Sequence, residues 1–204
     1  PMIIAGGGVH YSEAWEELHS FSETFGIPVG ETFAGKGAIR TESALLLGGH
    51  GVSGSPSSAK IASQADLVIC VGTRLTDFAT GSQSAFKNPD VKFIAINVTG
   101  HDAFKQGALP ILADAREALR AIIEASAQAG IKPDPGYLEN VVAAKRRWDA
   151  QVQQEVYNDI PGEPMGQGQL IKALNDGAQE GDTIVAAAGT PPGNLVNLWN
   201  ATGG

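Results

Sequence analysis

Several stretches of this 204-residue chain place residue types at spacings that could do chemistry. Gly30-Glu31-Thr32-Phe33-Ala34-Gly35-Lys36-Gly37 comes within one residue of a phosphate-binding loop, in which backbone N–H groups cradle phosphates and a lysine reaches the outer ones. Gly37 stands where the Ser or Thr that holds magnesium belongs, and no carboxylate-bearing strand of the Walker B kind accompanies it, which argues against a nucleotide triphosphatase. Lys36 is left as an anion contact. Gly6-Gly7-Gly8 follows an apolar run and would let a pyrophosphate approach a helix N-terminus, but Tyr11 occupies the position of the fingerprint's third glycine. Tight turning explains the three glycines equally well. Glu31 follows the second expected strand, where a carboxylate could hydrogen-bond a ribose.

Gly72-Thr73-Arg74-Leu75-Thr76-Asp77-Phe78-Ala79-Thr80-Gly81 stands at the carboxyl end of the most apolar run, where open α/β sheets place ligands. Arg74 there serves either as a clamp for a phosphate or carboxylate or as half of an Arg74 to Asp77 pair pinning the loop. Ser53, between Gly51 and Gly54, misses the nucleophile-elbow spacing because Ser55 holds the final glycine position. His10, His19, His50 and His101 fall singly, at turns or helix surfaces, and never at the i, i+4 spacing of a zinc site. Neither a serine triad nor a metal centre can be assembled, so no catalytic or metal-ligating residue is assigned.

The elements that must position these groups alternate short apolar runs with amphipathic stretches, the pattern of βα units in a parallel sheet. Expected strands are Met2 to Ala5, Ile27 to Val29, Leu67 to Val71, Lys92 to Val98 and Leu109 to Leu112. Leu67-Val68-Ile69-Cys70-Val71 is apolar throughout, as a strand covered on both faces must be. Helices are expected over Ser12 to Phe25, with Trp15, Leu18, Phe21 and Phe25 in one stripe, over Ser55 to Ala65, and from Asp114 to Ala129. The expected architecture is α/β: a doubly wound, mainly parallel, Rossmann-like six-stranded sheet with helices on both faces. It occupies residues 1–130. Residues 131–165 read as a linker with a long helix, Tyr137 to Tyr157, broken again at Ile160 to Pro164. Residues 166–204 begin a partial second α/β unit, with a helix Gln169 to Asn175, a strand Thr183 to Ala188 and a helix start near Leu195. The chain opens at once on a strand and closes on Thr202-Gly203-Gly204 just past a helix start, so both ends read as cut and the second unit as truncated.

Composition limits the function classes. With 43% hydrophobic and 18% charged residues the chain can build a core without disulfides. A net charge of -8 excludes nucleic acid, and Lys145-Arg146-Arg147 sits on a mixed, solvated helix face. Cys70 reads as a small buried hydrophobe, which favours a reducing cytoplasm. No apolar run reaches membrane-spanning length.

Taken in order, Ile3 to Gly8, Gly35-Lys36-Gly37, Ala65 to Gly72 with Arg74-Leu75-Thr76-Asp77, and Ala113-Asp114-Ala115 resemble the central domain of the acetolactate synthase-like thiamine-diphosphate enzymes. Within that superfamily, Thr183-Ile184-Val185-Ala186-Ala187-Ala188-Gly189 through Leu195, followed by Leu198-Trp199, resembles the trihydroxycyclohexane-1,2-dione hydrolases of myo-inositol breakdown. Those usually show Ser-Leu-Pro-Gly-Asp where this chain has Thr190-Pro191-Pro192-Gly193-Asn194. The resemblance implies thiamine diphosphate and Mg2+ as cofactors, a cyclic dione as small-molecule substrate, and cleavage of a ring C–C bond to give 5-deoxy-glucuronate. It implies separate N- and C-terminal domains that carry the catalytic glutamate and the magnesium motif, so that this fragment alone is inactive, and a homodimer or homotetramer at full length. It places Gly189 and Thr190 beside the cofactor's diphosphate. A related lyase or synthase with flavin in the central domain, and a stand-alone nucleotide-binding module, are the alternatives.

Overall fold

A computed structural model describes residues 1–158 and 161–201. Ile160, in the second expected break, and Thr202-Gly203-Gly204 lie outside the described residues. Six strands, β1 (Met2–Ala5), β2 (Val29–Glu31), β3 (Leu46–Gly49), β4 (Leu67–Val71), β5 (Lys92–Asn97) and β6 (Leu109–Leu112), form one sheet in the order β3-β2-β1-β4-β5-β6. Every neighbouring pair is parallel. The chain winds outward from β1 to β3, then crosses back to β4 and winds out the other way, as the doubly wound expectation required.

Alternation along the central strands divides the core in two, because successive side chains on a strand point to opposite faces. Ile3, Ala5, Ile69, Val71 and Ile96 face one side and pack against Leu18, Phe21 and Phe25 of α2 (Trp15–Phe25) and Ala118 and Leu119 of α6 (Ala115–Gln128). Met2, Ile4, Val68, Cys70 and Ala95 face the other, against Ile61 and Ala62 of α3 (Pro56–Gln64) and Val141 and Ala144 of α7 (Pro135–Gln151). Each large side chain so buried contributes roughly 1.5–3 kcal/mol. Cys70 is 1% exposed, and burial pushes its thiol up to about 12, the inert behaviour expected of it.

Local signals fix the helix ends. Ser55 Oγ accepts from Ser58 N at 3.0 Å with Pro56 in the first turn, and Asp114 Oδ1 accepts from Arg116 N (2.9 Å) and Glu117 N (3.3 Å). Ser12 Oγ donates to Asp114 at 2.6 Å, and that bond above all holds the Asp114 carboxyl below its ordinary range. The helix expected over Ser12 to Phe25 starts only at Trp15, as α2; a separate single turn, α1 (Gly8–Tyr11), precedes it, with Glu13 at φ 48 between the two. Two single-turn helices, α4 (Asp77–Thr80) and α5 (Gly100–Ala103), follow β4 and β5.

The structure corrects four other expectations. The second strand runs Val29–Glu31 rather than Ile27 to Val29, because Pro28 lacks the N–H that a central strand needs. Leu46–Gly49, where the sequence led to no expected strand, is a fully buried strand. The long helix begins at Pro135, inside the expected linker, capped by Asp134, and ends in a π turn over Val152–Val156. Thr183 to Ala188 pairs with no strand among the described residues, and Val185 is 90% exposed. A strand takes its hydrogen bonds from a neighbour, and none is present for it here. The remaining elements are α8 (Gln167–Gly177) and α9 (Thr190–Leu198). No helix among the described residues is long and apolar enough to cross a membrane.

Candidate functional site

The carboxyl ends of β1 and β4 diverge at the switch in strand order, and a cleft of about 680 Å³ opens above them. Its floor is Gly6 to Gly8 and Gly72 to Arg74; Thr32 to Ala34 and His50 close one end, Asn97 to Thr99 and Asp114 the other. The Gly6 to Gly8 and Gly72 to Arg74 motifs thus meet in one place. What their glycines do there is different from cradling a phosphate. Gly8 N donates to Gly72 O at 3.0 Å, a Cβ on Gly8 would stand 2.5 Å from Gly72 Cα, and one on Gly6 would stand 2.5 Å from Gly72 O. The loops are glycine-rich because their backbones touch each other.

Arg74 lines the cleft with an exposed side chain and makes no ion pair among the described residues; Asp77 instead opens α4 behind the Thr76 cap. The pinning Arg74 to Asp77 pair is absent. Leu75, next to it, is buried yet holds φ 43, a left-handed conformation costly for a branched side chain and fixed here by the packed loop.

Glu31 does not reach the cleft. Its carboxylate is fully buried and turned inward, accepting from Gly37 N (2.9 Å) and Ile39 N (3.4 Å), with Lys36 Nζ 3.4 Å away. Burial pushes its pKa up, and Lys36 pulls against that shift. The stretch resembling a phosphate loop is therefore a 3-10 turn over Phe33–Gly35 clamped by its own ion pair, with neither Glu31 nor Lys36 available to a ribose or an anion. Ser53 offers only its carbonyl, to Asn197. His10 accepts from Trp15 Nε1 at 2.9 Å and lies 3.1 Å from Lys36 O, while His101 is exposed. No three His, Cys, Asp or Glu side chains converge as a metal site among the described residues.

His50, expected among the histidines at turns or helix surfaces, follows β3 but is buried, 6% exposed at the cleft wall. Its Nδ1 lies 3.0 Å from Ser58 Oγ, its ring stacks on Phe86 at 5.6 Å, and Nε2 has no hydrogen-bond partner. Desolvation lowers its pKa to about 4, against a small opposing pull from the Ala79 backbone, so the ring is neutral at pH 7. No local signal announces it, since its burial depends on Ser58 and Phe86 folding over it.

The expected cofactor residues lie elsewhere, at the start of α9. Gly189 has φ 108 and ψ -144, a conformation open in practice only to glycine, and Thr190 begins the helix; both are exposed. No side chain caps this terminus. Pro191 and Pro192 carry no N–H, so the amides of Gly189 and Thr190 are the donors the first turn leaves for an anion. The donor set fits a diphosphate oxygen, with two amides fewer than an ordinary helix start presents. On its other side, α9 buries Val196 and Leu198 and bonds to Gly49 at the end of β3 and to Ser53 in the loop after it.

An open parallel sheet of this order, with its cleft at the switch point, defines a Rossmann-like α/β domain. The family model "Thiamine pyrophosphate enzyme, central domain" matches residues 1–122, and the chain belongs to that family. Over 98% of its length the chain is also 40% identical to a 3D-(3,5/4)-trihydroxycyclohexane-1,2-dione hydrolase of Bacillus cereus (strain AH820), and 39% identical to one of Bacillus anthracis (strain A0248). It covers 34% of each of those proteins, about a third of their length. The family read from Ile3 to Ala115 and the narrower likeness read from Thr183 to Trp199 are both borne out.

Proposed function

We propose that the chain is part of a thiamine-diphosphate-dependent hydrolase that opens the ring of trihydroxycyclohexane-1,2-dione at a C–C bond, yielding 5-deoxy-glucuronate. The observation that carries this reading is the 40% identity running through 98% of the chain, across the central domain and into the segment beyond it. In this reading residues 1–130 are the central domain, 131–165 the connection, and 166–204 the first part of a diphosphate-binding domain. The exposed, unpaired Thr183 to Ala188 stretch supports it, as a strand whose sheet is supplied by the rest of that domain.

Bound thiamine diphosphate supplies a carbon nucleophile and an electron sink for C–C cleavage. The part of this chain in that chemistry is to hold the diphosphate at the amides of Gly189 and Thr190 and to set that turn against a rigid sheet. Mg2+, the catalytic glutamate and the second half of the site fall to the remaining two thirds of a protein of the relatives' length, so the fragment alone is inactive. A homodimer or homotetramer in the cytoplasm completes the reading. Its test is turnover of the cyclic dione by the full-length protein: it requires added thiamine diphosphate and Mg2+, and undiminished turnover after both are stripped would overturn it.

The cleft at the β1/β4 switch favours a second reading, a related lyase or synthase with flavin lying across the sheet ends. Flavin absorbance in the purified full-length protein would establish it, and a colourless protein would remove it. A stand-alone nucleotide module fits less well, because Glu31 and the Gly6 to Gly8 loop are both occupied internally. NAD or ADP binding by this chain in calorimetry would restore that idea.

A further inference from the structure

One side chain joins the diphosphate turn to the sheet. Asn197, partly buried on α9, accepts from Gly49 N through Oδ1 at 3.1 Å and donates through Nδ2 to Ser53 O at 2.7 Å and Gly193 O at 2.9 Å. Both amide hydrogens are engaged and the carbonyl is satisfied, and the partners lie 144 and 148 positions away in sequence as well as one helical turn back. Two of these bonds tie α9 to the end of β3 and the loop that follows it, and the third closes back onto α9 itself.

The loop is shaped to receive that helix. A Cβ on Gly49 would stand 2.8 Å from Val196 Cγ1 and 2.9 Å from Asn197 Oδ1, and one on Gly193 would stand 3.2 Å from Ser53. Gly48, at φ 93, turns the end of β3 toward Ser55 and Asn197. The residue after Gly49 is His50, whose own N–H donates to Glu31 O at 2.7 Å and whose ring enters the cleft. Gly49 is thus held at its N–H by Asn197, and its own carbonyl forms the next peptide, to the residue that carries the cleft's buried imidazole. Along α9, Asn197 stands about 10 Å from Thr190, so a tilt of about 6° about this anchor displaces the turn by roughly 1 Å. Misplacements of that size are enough to weaken a geometrically demanding site strongly.

We propose that Asn197 is a positioning residue that sets the Gly189–Thr190 turn and, through the Gly49–His50 peptide, couples that turn to the cleft at His50. The inference rests on the reading that this turn meets the diphosphate of thiamine diphosphate. Fixed in this way, the turn and the imidazole move as one body, and occupancy at either is felt at the other.

The test follows the His50 ring by NMR in full-length protein carrying labelled histidine, while thiamine diphosphate is titrated and its affinity is measured in parallel by calorimetry. In the unmodified protein the His50 resonance moves on saturation. Asn197→Ala weakens binding about tenfold, and at saturation leaves the His50 resonance where it stood without ligand. Asn197→Asp, which keeps an oxygen for Gly49 N but loses both donors, falls between the two. A purely structural role would lower affinity or stability without uncoupling the His50 response. Unchanged affinity in Asn197→Ala, or an unmodified protein whose His50 does not respond to bound thiamine diphosphate, would overturn the proposal. Failure of the unmodified protein to bind thiamine diphosphate at all overturns the functional reading instead. The anchor is then judged by amide exchange at Gly49, which Asn197→Ala accelerates at least tenfold if Asn197 fixes the loop and leaves unchanged if it does not.

Discussion

Glu31 and Lys36 form an ion pair across 3.4 Å inside the fold, the glutamate fully buried and the lysine side chain 16% exposed. The pair and the two amides on Glu31 Oε1 close the turn that follows β2. Replacing Glu31 by Ala strands a nearly buried ammonium and two buried N–H groups at once, and should cost about 3–5 kcal/mol. Glu31→Gln keeps an oxygen for the amides and should cost less, about 1–3 kcal/mol. Urea unfolding of both variants measures the difference, and a cost under about 1 kcal/mol for Glu31→Ala would show that the turn closes without the carboxylate.

Gly72 sits at φ 59 with Gly8 Cα 2.5 Å from where a Cβ would stand. Gly72→Ala therefore meets a strained conformation and a backbone collision together, and neither atom belongs to a flexible side chain that could swing away. A loss of about 3 kcal/mol or more is expected. Gly107, also at positive φ (62) but with nothing within 4 Å of an added Cβ, is the control, and Gly107→Ala should cost about 1 kcal/mol. Equal thermal shifts for the two would mean that the collision between the glycine loops is relieved by movement.

His50 is neutral in the fold down to about pH 4, whereas an unfolded histidine takes up a proton near 6.5. Its folded pKa is depressed, so the unfolded chain binds the extra proton, and stability is fully present above about pH 6.5 and falls as pH drops toward 4. The difference is on the order of 3 kcal/mol. Carboxylates titrate in the same range, so the informative quantity is the native curve minus that of His50→Gln, which should slope between those two values and be flat above them. A flat difference throughout would mean that the imidazole is solvated.

The parts of the fold visible in the sequence are those set by neighbours along the chain. The run Leu67 to Val71, the Ser55-Pro56 start and the Asp114 cap each carry a local physical signal, and each forms as read. β3 escaped because Gly48 and Gly49 imitate a loop; they are glycines to admit Val196 and Asn197 from the far end of the chain. His50 escaped for the same reason, its burial being supplied by Ser58 and Phe86. The Gly189–Thr190 turn was legible only through the family pattern around it. Thr183 to Ala188 was legible as a strand by propensity, but propensity cannot provide the neighbouring strand that makes it one.

Gly189 separates conformation from packing at the proposed diphosphate turn. Its φ of 108 with ψ of -144 is closed to other residues, yet an added Cβ would meet only Pro191 Cδ, at 3.8 Å, an ordinary contact. Gly189→Ala should therefore leave the core intact, since the residue is exposed, while forcing the turn to a new backbone shape that re-aims the amides of 189 and 190. With Pro191 and Pro192 supplying no N–H, no other first-turn backbone amide can take over. Thiamine diphosphate affinity of the full-length protein should fall about tenfold, roughly 1.4 kcal/mol, with the thermal midpoint nearly unchanged. Retained affinity would place the diphosphate on other residues, and a large fall in the midpoint would make this glycine a folding determinant instead.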